Sequence, residues 1–250
     1  MDKRIQADVL CDFHSGKISD VSETDNGIML TIVMFEYYTY PYTVLKCELI
    51  NCREFLLELE GGVYIKDLHE FKKYEIEMQN AEIRNSKLVV SCEVEGKWSS
   101  IHIETETIKV YDELNTEISP LDLYILTGDS NGIDFHIREK TKKRTSYTGE
   151  SVKFDERVMD DLRDKEQYWP RYEQKGPKKP VDLLIGLDEY GVKMFYEQEI
   201  KQLINICDGL LSTYITDSLY DQKIRYFAEE LKKLCEQAVL NHKWVEAIGD

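Results

Sequence analysis

The apolar residues of this chain recur at every second position through its first half and at every third or fourth position through its last quarter. A period of two builds a strand with one buried face, and a period near 3.6 builds a helix with one buried stripe. Strands grouped early and helices grouped late indicate an α+β protein.

Val21-Ser22-Glu23 leads into Thr24-Asp25-Asn26-Gly27, and Asn-Gly is a hairpin signal because both residues tolerate positive φ. The next run, IMLTIVMF from Ile28 to Phe35, is apolar on both faces, which predicts a central strand. Leu88, Val90, Cys92 and Val94 alternate after a turn at Asn85-Ser86. In SIHIETETIKVY, Ile101 and Ile103 share one parity while Ile108 and Val110 share the other, so a bulge is expected between Glu104 and Thr107. With further runs near 43–50, 55–65 and 74–83, about seven strands result. They imply an antiparallel β-sandwich or open barrel over residues 1–114.

Asn115 to Pro120 reads as a linker to a second, α+β domain over residues 120–250. LDLYILT and IDFHIRE flank Gly128–Gly132 and suggest a hairpin. The charged stretch from Glu150 to Pro180 holds a short helix at 156–165, then Trp169-Pro170 and KGPKKP as a surface loop. Ile200, Leu203, Ile204, Cys207, Leu210 and Leu211 form one amphipathic stripe, and Tyr220, Ile224, Phe227, Leu231 and Leu234 a second. Together they predict a helical hairpin over about 196–240, with Asp217 or Ser218 capping its second helix. A short antiparallel sheet completes this domain. One strand spans 183–187, and the closing strand, 244–248, lies beside it. Between the first strand and the helices stands Leu187-Asp188-Glu189-Tyr190-Gly191. It lacks the nucleophile of a catalytic elbow and the glycines of an anion cradle, so it reads as a turn in which Gly191 takes positive φ.

Charge narrows the partners. The chain carries −16, and its one basic segment, Arg138–Arg144, sets five basic residues against one acid, leaving −20 elsewhere. Such a field repels nucleic acid and anionic lipid and attracts cationic partners. No run of apolar residues is long enough to span a membrane, and the first residues lack the apolar core of a secretory signal. Cys11, Cys47, Cys52, Cys92, Cys207 and Cys235 form no CxxC pair and read as buried free thiols of a cytoplasmic protein.

The segment LLIGLDEYGVKMF, the helix pair after it and the terminal Ile248-Gly249-Asp250 resemble small bacterial proteins with an LIGLDEYG segment and a closing aliphatic-Gly-Asp. Some of these resemble immunity proteins of contact-dependent or polymorphic toxin systems. The resemblance covers residues 181–250 and implies a protein partner, with no catalytic constellation.

The candidate sites agree with that implication. His14, His69, His102, His136 and His242 form no local metal-binding pair. Asp129–Asp134 hints at a calcium loop, but its glycine falls at the fourth position and Lys140 stands at the twelfth. Cys11 and His14 lie close in sequence without an oxyanion feature. No metal, cofactor or catalytic residue is therefore assigned, and the chain is read as no enzyme. Phe35–Tyr42 holds four tyrosines that cannot all enter one core, and tyrosine suits a recognition surface. Partner binding is placed at Tyr37, Tyr38, Tyr40 and Tyr42, and at Asp188, Glu189 and Tyr190 of the turn. The expected function is neutralisation of a basic toxin domain, such as a nuclease, by occlusion of its active site. The alternatives are a structural interaction module or, behind that, an enzyme.

Overall fold

A computed structural model describes residues 1–34, 43–127, 131–139, 151–168 and 179–249. The chain divides into two compact units, Met1–Asp129 and Ser130–Asp250. The fold is α+β in both. No helix among the described residues is long and apolar enough to cross a membrane.

The first unit opens with helix α1 (Lys3–Cys11), whose N-cap Asp2 accepts from the Arg4 N–H. Strands β1 (Lys17–Thr24), β2 (Gly27–Val33), β3 (Val44–Ile50), β4 (Glu54–Leu59) and β5 (Val63–Ile65) follow. A short helix α2 (Leu68–Phe71) precedes β6 (Ile76–Arg84), β7 (Lys87–Val94), β8 (Lys97–Glu104), β9 (Thr107–Tyr111) and β10 (Glu117–Ile118). Helix α3 (Pro120–Thr127) ends the unit.

All ten strands belong to one sheet in the order β10-β9-β3-β2-β1-β6-β7-β8-β4-β5. Its pairing returns on itself. β3 and β4 follow each other across Asn51–Arg53, β8 and β9 follow each other across Thr105-Glu106, and the two long bent strands pair antiparallel along both halves. Outside them lie β2 and β7, which lead through β1 and β6 to a mutual seam of only two residue pairs, Lys17↔Glu77 and Ile18↔Ile76. The hydrogen-bonded circuit is that of a barrel with a loose seam. Leu30, Ile32, Leu49, Leu57, Val90 and Ile101 belong to one core, and Val9, Leu10 and Phe13 of the α1 segment join them.

Four expectations change here. The bulge in SIHIETETIKVY is a break between two strands, which lets Ile101, Ile103, Ile108 and Val110 all be buried despite their opposite parity. Residues 55–65 likewise divide, at Leu59–Val63. Residues 115–120 are not a free linker, because Glu117 and Ile118 pair with Tyr111 and Val110. LDLYILT is helix α3, not a hairpin strand. Ser119 caps it, accepting from the Asp122 N–H at 3.1 Å, and Pro120 supplies the fixed φ that suits a first helical residue.

The second unit comprises β11 (Gly132–Arg138), β12 (Ser151–Asp155), α4 (Glu156–Lys165), α5 (Asp182–Ile185), β13 (Val192–Phe195), α6 (Glu197–Thr213), α7 (Leu219–Leu240) and β14 (Trp244–Gly249). Its four-stranded antiparallel sheet runs β12-β11-β14-β13. The aromatic layer between sheet and helices contains Phe154 stacked on Phe227 at 4.3 Å between ring centroids, with Phe135 at 6.3 Å from Phe227 and 6.1 Å from Phe195. Leu203 and Leu231 are fully buried on the paired helices α6 and α7, and Ser218 caps α7. The expected strand at 183–187 is the short helix α5, since Leu184 and Ile185 turn inward together. The strand that pairs with β14 in its place is β13, between the turn and the predicted helices.

Candidate functional site

The turn after α5 is closed by its own polar groups. Asp188 Oδ1 accepts the Tyr190 N–H at 3.1 Å, and the Gly191 N–H donates to the Asp188 carbonyl at 3.1 Å. Gly191 is not in the left-handed region. What the glycine provides is space, because a β-carbon there would lie 2.9 Å from that of Asp188.

Arg163 on α4 holds the turn from one side. Its Nε donates to the Ile185 carbonyl at 3.0 Å, one terminal nitrogen reaches the Leu187 carbonyl at 3.5 Å, and the other pairs with the Glu189 carboxylate. On the other side, the Gly249 N–H donates to the Gly191 carbonyl at 2.8 Å. The turn is thus fastened to a helix by one planar guanidinium and to the last strand by backbone.

That fastening aims β13. It lies at the edge of the sheet, with β14 on one side only. The Gly191–Gly249 bond fixes the phase of the ladder. Antiparallel pairs alternate between bonded and non-bonded, so Lys193 and Phe195 bond to Ala247 and Val245 of β14. The N–H and C=O of Val192 and Met194 therefore face outward, without partners among the described residues. Tyr190 is 85% exposed, Val192 61% and Tyr196 51%, and Tyr196 meets Trp244 edge-to-face at 5.1 Å. Val192 and Met194 share a sheet face with Ile248, Glu246 and Trp244 across the pair.

Beside this edge lies an open depression of about 330 Å³, floored by the buried Ile133 and Ala247 and rimmed by Leu187, Asp188 and Lys193. The Lys193 ammonium is held by Glu199 at 2.6 Å, so it adds little free positive charge. Negative charge dominates around the turn. Burial, and then Asp160 and Glu189, push the Glu156 carboxyl above its ordinary range. Burial also raises Asp160, with Glu189 adding to the effect and Arg163 opposing it.

Of the residues expected to bind a partner, Tyr37, Tyr38, Tyr40 and Tyr42 lie outside the described residues, as does most of Arg138–Arg144. Asp188, Glu189 and Tyr190 come together in the turn but differ in availability. Glu189 is tied to Arg163, Asp188 is exposed while closing its turn, and Tyr190 is open. Val192, Met194 and Tyr196 were missed. Their alternation with Lys193 and Phe195 was a strand signal, hidden by the helix that begins directly after them.

Several other chemistry-bearing groups are held within the fold. The Cys11 thiol donates to Asn80 Oδ1 at 3.1 Å, and His14 Nδ1 lies 2.6 Å from the Gln79 carbonyl, so both grip the bulge of β6. Burial pushes Cys52 up to about 11 and Cys92 and Cys207 up to about 12, far from a thiolate at neutral pH. Glu58 takes the Tyr64 hydroxyl at 3.0 Å and lies 2.8 Å from His102 Nε2, and these two, His102 first, lower its pKa. No group of three or more His, Cys, Asp or Glu side chains among the described residues is arranged to hold a metal ion. Comparison with known proteins finds no family model, curated protein or solved structure that matches this chain.

Proposed function

We propose that this chain binds another protein through the β13 edge and the adjoining turn, and that the partner is a toxin domain whose active site it covers. The observation that carries the binding reading is the concentration of exposed apolar surface at one sheet edge, Tyr190, Val192 and Tyr196 within seven residues. Aromatic and aliphatic groups of this kind anchor protein interfaces, and acids around them favour a basic partner through steering and specificity. The toxin reading rests on the resemblance of LIGLDEYG and the closing Ile-Gly-Asp to immunity proteins. The site of action in this reading is the cytoplasm, which suits six unpaired cysteines.

Co-expression with a toxin domain, taken from a neighbouring gene where one is found, tests the proposal. Rescue of growth and co-purification in equal amounts are expected, and both should fail for Val192→Asp, which places a charge in the apolar edge. A complex without rescue would leave an interaction module in place of an immunity protein. Neither rescue nor complex, with folded protein in hand, would remove the proposal.

A further inference from the structure

We infer that the β13 edge is a strand-addition site for an extended segment in which apolar and basic residues alternate. The inference deepens the protein-binding reading and rests on it. Its geometric basis is the outward N–H and C=O of Val192 and Met194, which offer an incoming strand the hydrogen bonds that β14 supplies on the other side.

The two faces of that edge differ, and the difference selects the side chains. An added strand places one parity beside Val192, Met194 and the exposed Tyr196, where apolar residues find cross-strand partners. The other parity falls on the face of Lys193 and the depression. Its floor of Ile133 and Ala247 is apolar, and the carboxylate at its rim belongs to Asp188. A lysine or arginine of this parity can lay its aliphatic stem along the edge and bring its charge toward Asp188. Asp188 and Glu197 stand exposed near opposite ends of the edge, and Glu199 already neutralises Lys193. An acidic strand would meet repulsion there.

The edge is short by construction. The Tyr190 N–H is taken by Asp188, and the Tyr196 N–H faces Glu199 Oε2 at 3.3 Å, so within this stretch only Val192 and Met194 are open to a new ladder.

The test uses the full chain and two twelve-residue synthetic peptides, one alternating valine with lysine and one alternating valine with glutamate. The valine–lysine peptide is expected to bind and to slow amide exchange at Val192 and Met194, leaving Lys193 and Phe195, already bonded to β14, unchanged. The valine–glutamate peptide should not bind. Met194→Pro removes one outward N–H without touching the β14 ladder, and it should weaken binding about tenfold, while Met194→Leu should not. If Met194→Pro does not fold, the exchange pattern of the unaltered chain decides. No binding of the valine–lysine peptide at millimolar concentration would overturn the inference, as would binding with Val192 and Met194 amides unprotected. Equal binding of the glutamate peptide would remove its charge preference. Concentration-dependent protection of these amides in the chain alone would show a second copy as the occupant and overturn it too. Peptide binding as expected, with no rescue in co-expression, would remove the toxin reading and leave strand addition standing.

Discussion

A β-carbon added to Gly249 would lie 1.9 Å from the carbonyl oxygen of Glu189. Ile248-Gly249 and the LDEYG turn, 58 positions apart in their contacting residues (Gly249 and Gly191), are therefore one structural unit, joined where backbone meets backbone. A side chain at Gly249 must push the turn away from β14. Gly249→Ala is expected to lower stability by about 1–3 kcal/mol, measured by urea unfolding.

Arg163 should matter for a different reason. Its guanidinium serves two carbonyls and the Glu189 carboxylate at once, with the Asp160 carboxylate at 3.5 Å, and it is largely buried. Arg163→Ala should cost roughly 1.5–3 kcal/mol, because a charge-assisted set of hydrogen bonds is lost and Glu189 is left unpaired. Arg163→Lys should recover only part of this, since an ammonium cannot fork between the three acceptors. Equal melting temperatures for the lysine variant and the parent would show that charge alone suffices.

Stability should fall in acid through Asp221. Burial by itself would raise its pKa, but the Lys165 ammonium at 2.8 Å and two hydrogen bonds from Thr216 reverse this and bring it to about 2. An unfolded aspartate titrates near 3.9, so the folded chain favours the ionised form. The contribution is present above about pH 4 and disappears as pH falls toward 2, amounting to roughly 2 kcal/mol at neutral pH. Asp221→Asn should differ from the parent by that much at pH 7, and the gap should close by about pH 2.

Gly209 offers a stabilising change. It lies within α6, and a β-carbon there would meet nothing within 4 Å. Gly209→Ala should raise stability by about 0.5–1 kcal/mol through helix propensity and reduced freedom of the unfolded chain. A loss of stability on thermal unfolding would mean that the open space serves something else.

These residues also show what the sequence discloses. The helix pair was legible because α6 and α7 repeat their apolar stripe over several turns, with Ser218 as a plain cap. Helix α4 was legible over its full extent, Glu156–Lys165. Short apolar runs were not: Leu183–Ile185 and Leu121–Leu126 satisfy strand and helix alike, and only Ser119-Pro120 before the latter marked it as a helix. The hairpin expected at Asn26-Gly27 formed with Asp25-Asn26 at its tip and Asn26 outside the positive-φ region, and Gly27 is needed mainly because a β-carbon there would strike the Leu49 carbonyl at 2.0 Å. No local pattern reveals that approach, since Leu49 arrives from another strand. The edge at β13 was hidden for the same reason. Which strand lies outermost depends on the order of pairing, and only the adjoining turn, Asp188 to Tyr190, was visible beforehand.

The returning circuit of the ten-stranded sheet has a consequence for association. A flat sheet of ten strands would present two long, unsatisfied margins, each a template for aggregation. Here the ladder turns back on itself, and the strands left outermost are β10, of two residues, and β5, of three. Such stubs offer little purchase to a foreign chain, so topology itself shortens the margins of the first unit's sheet.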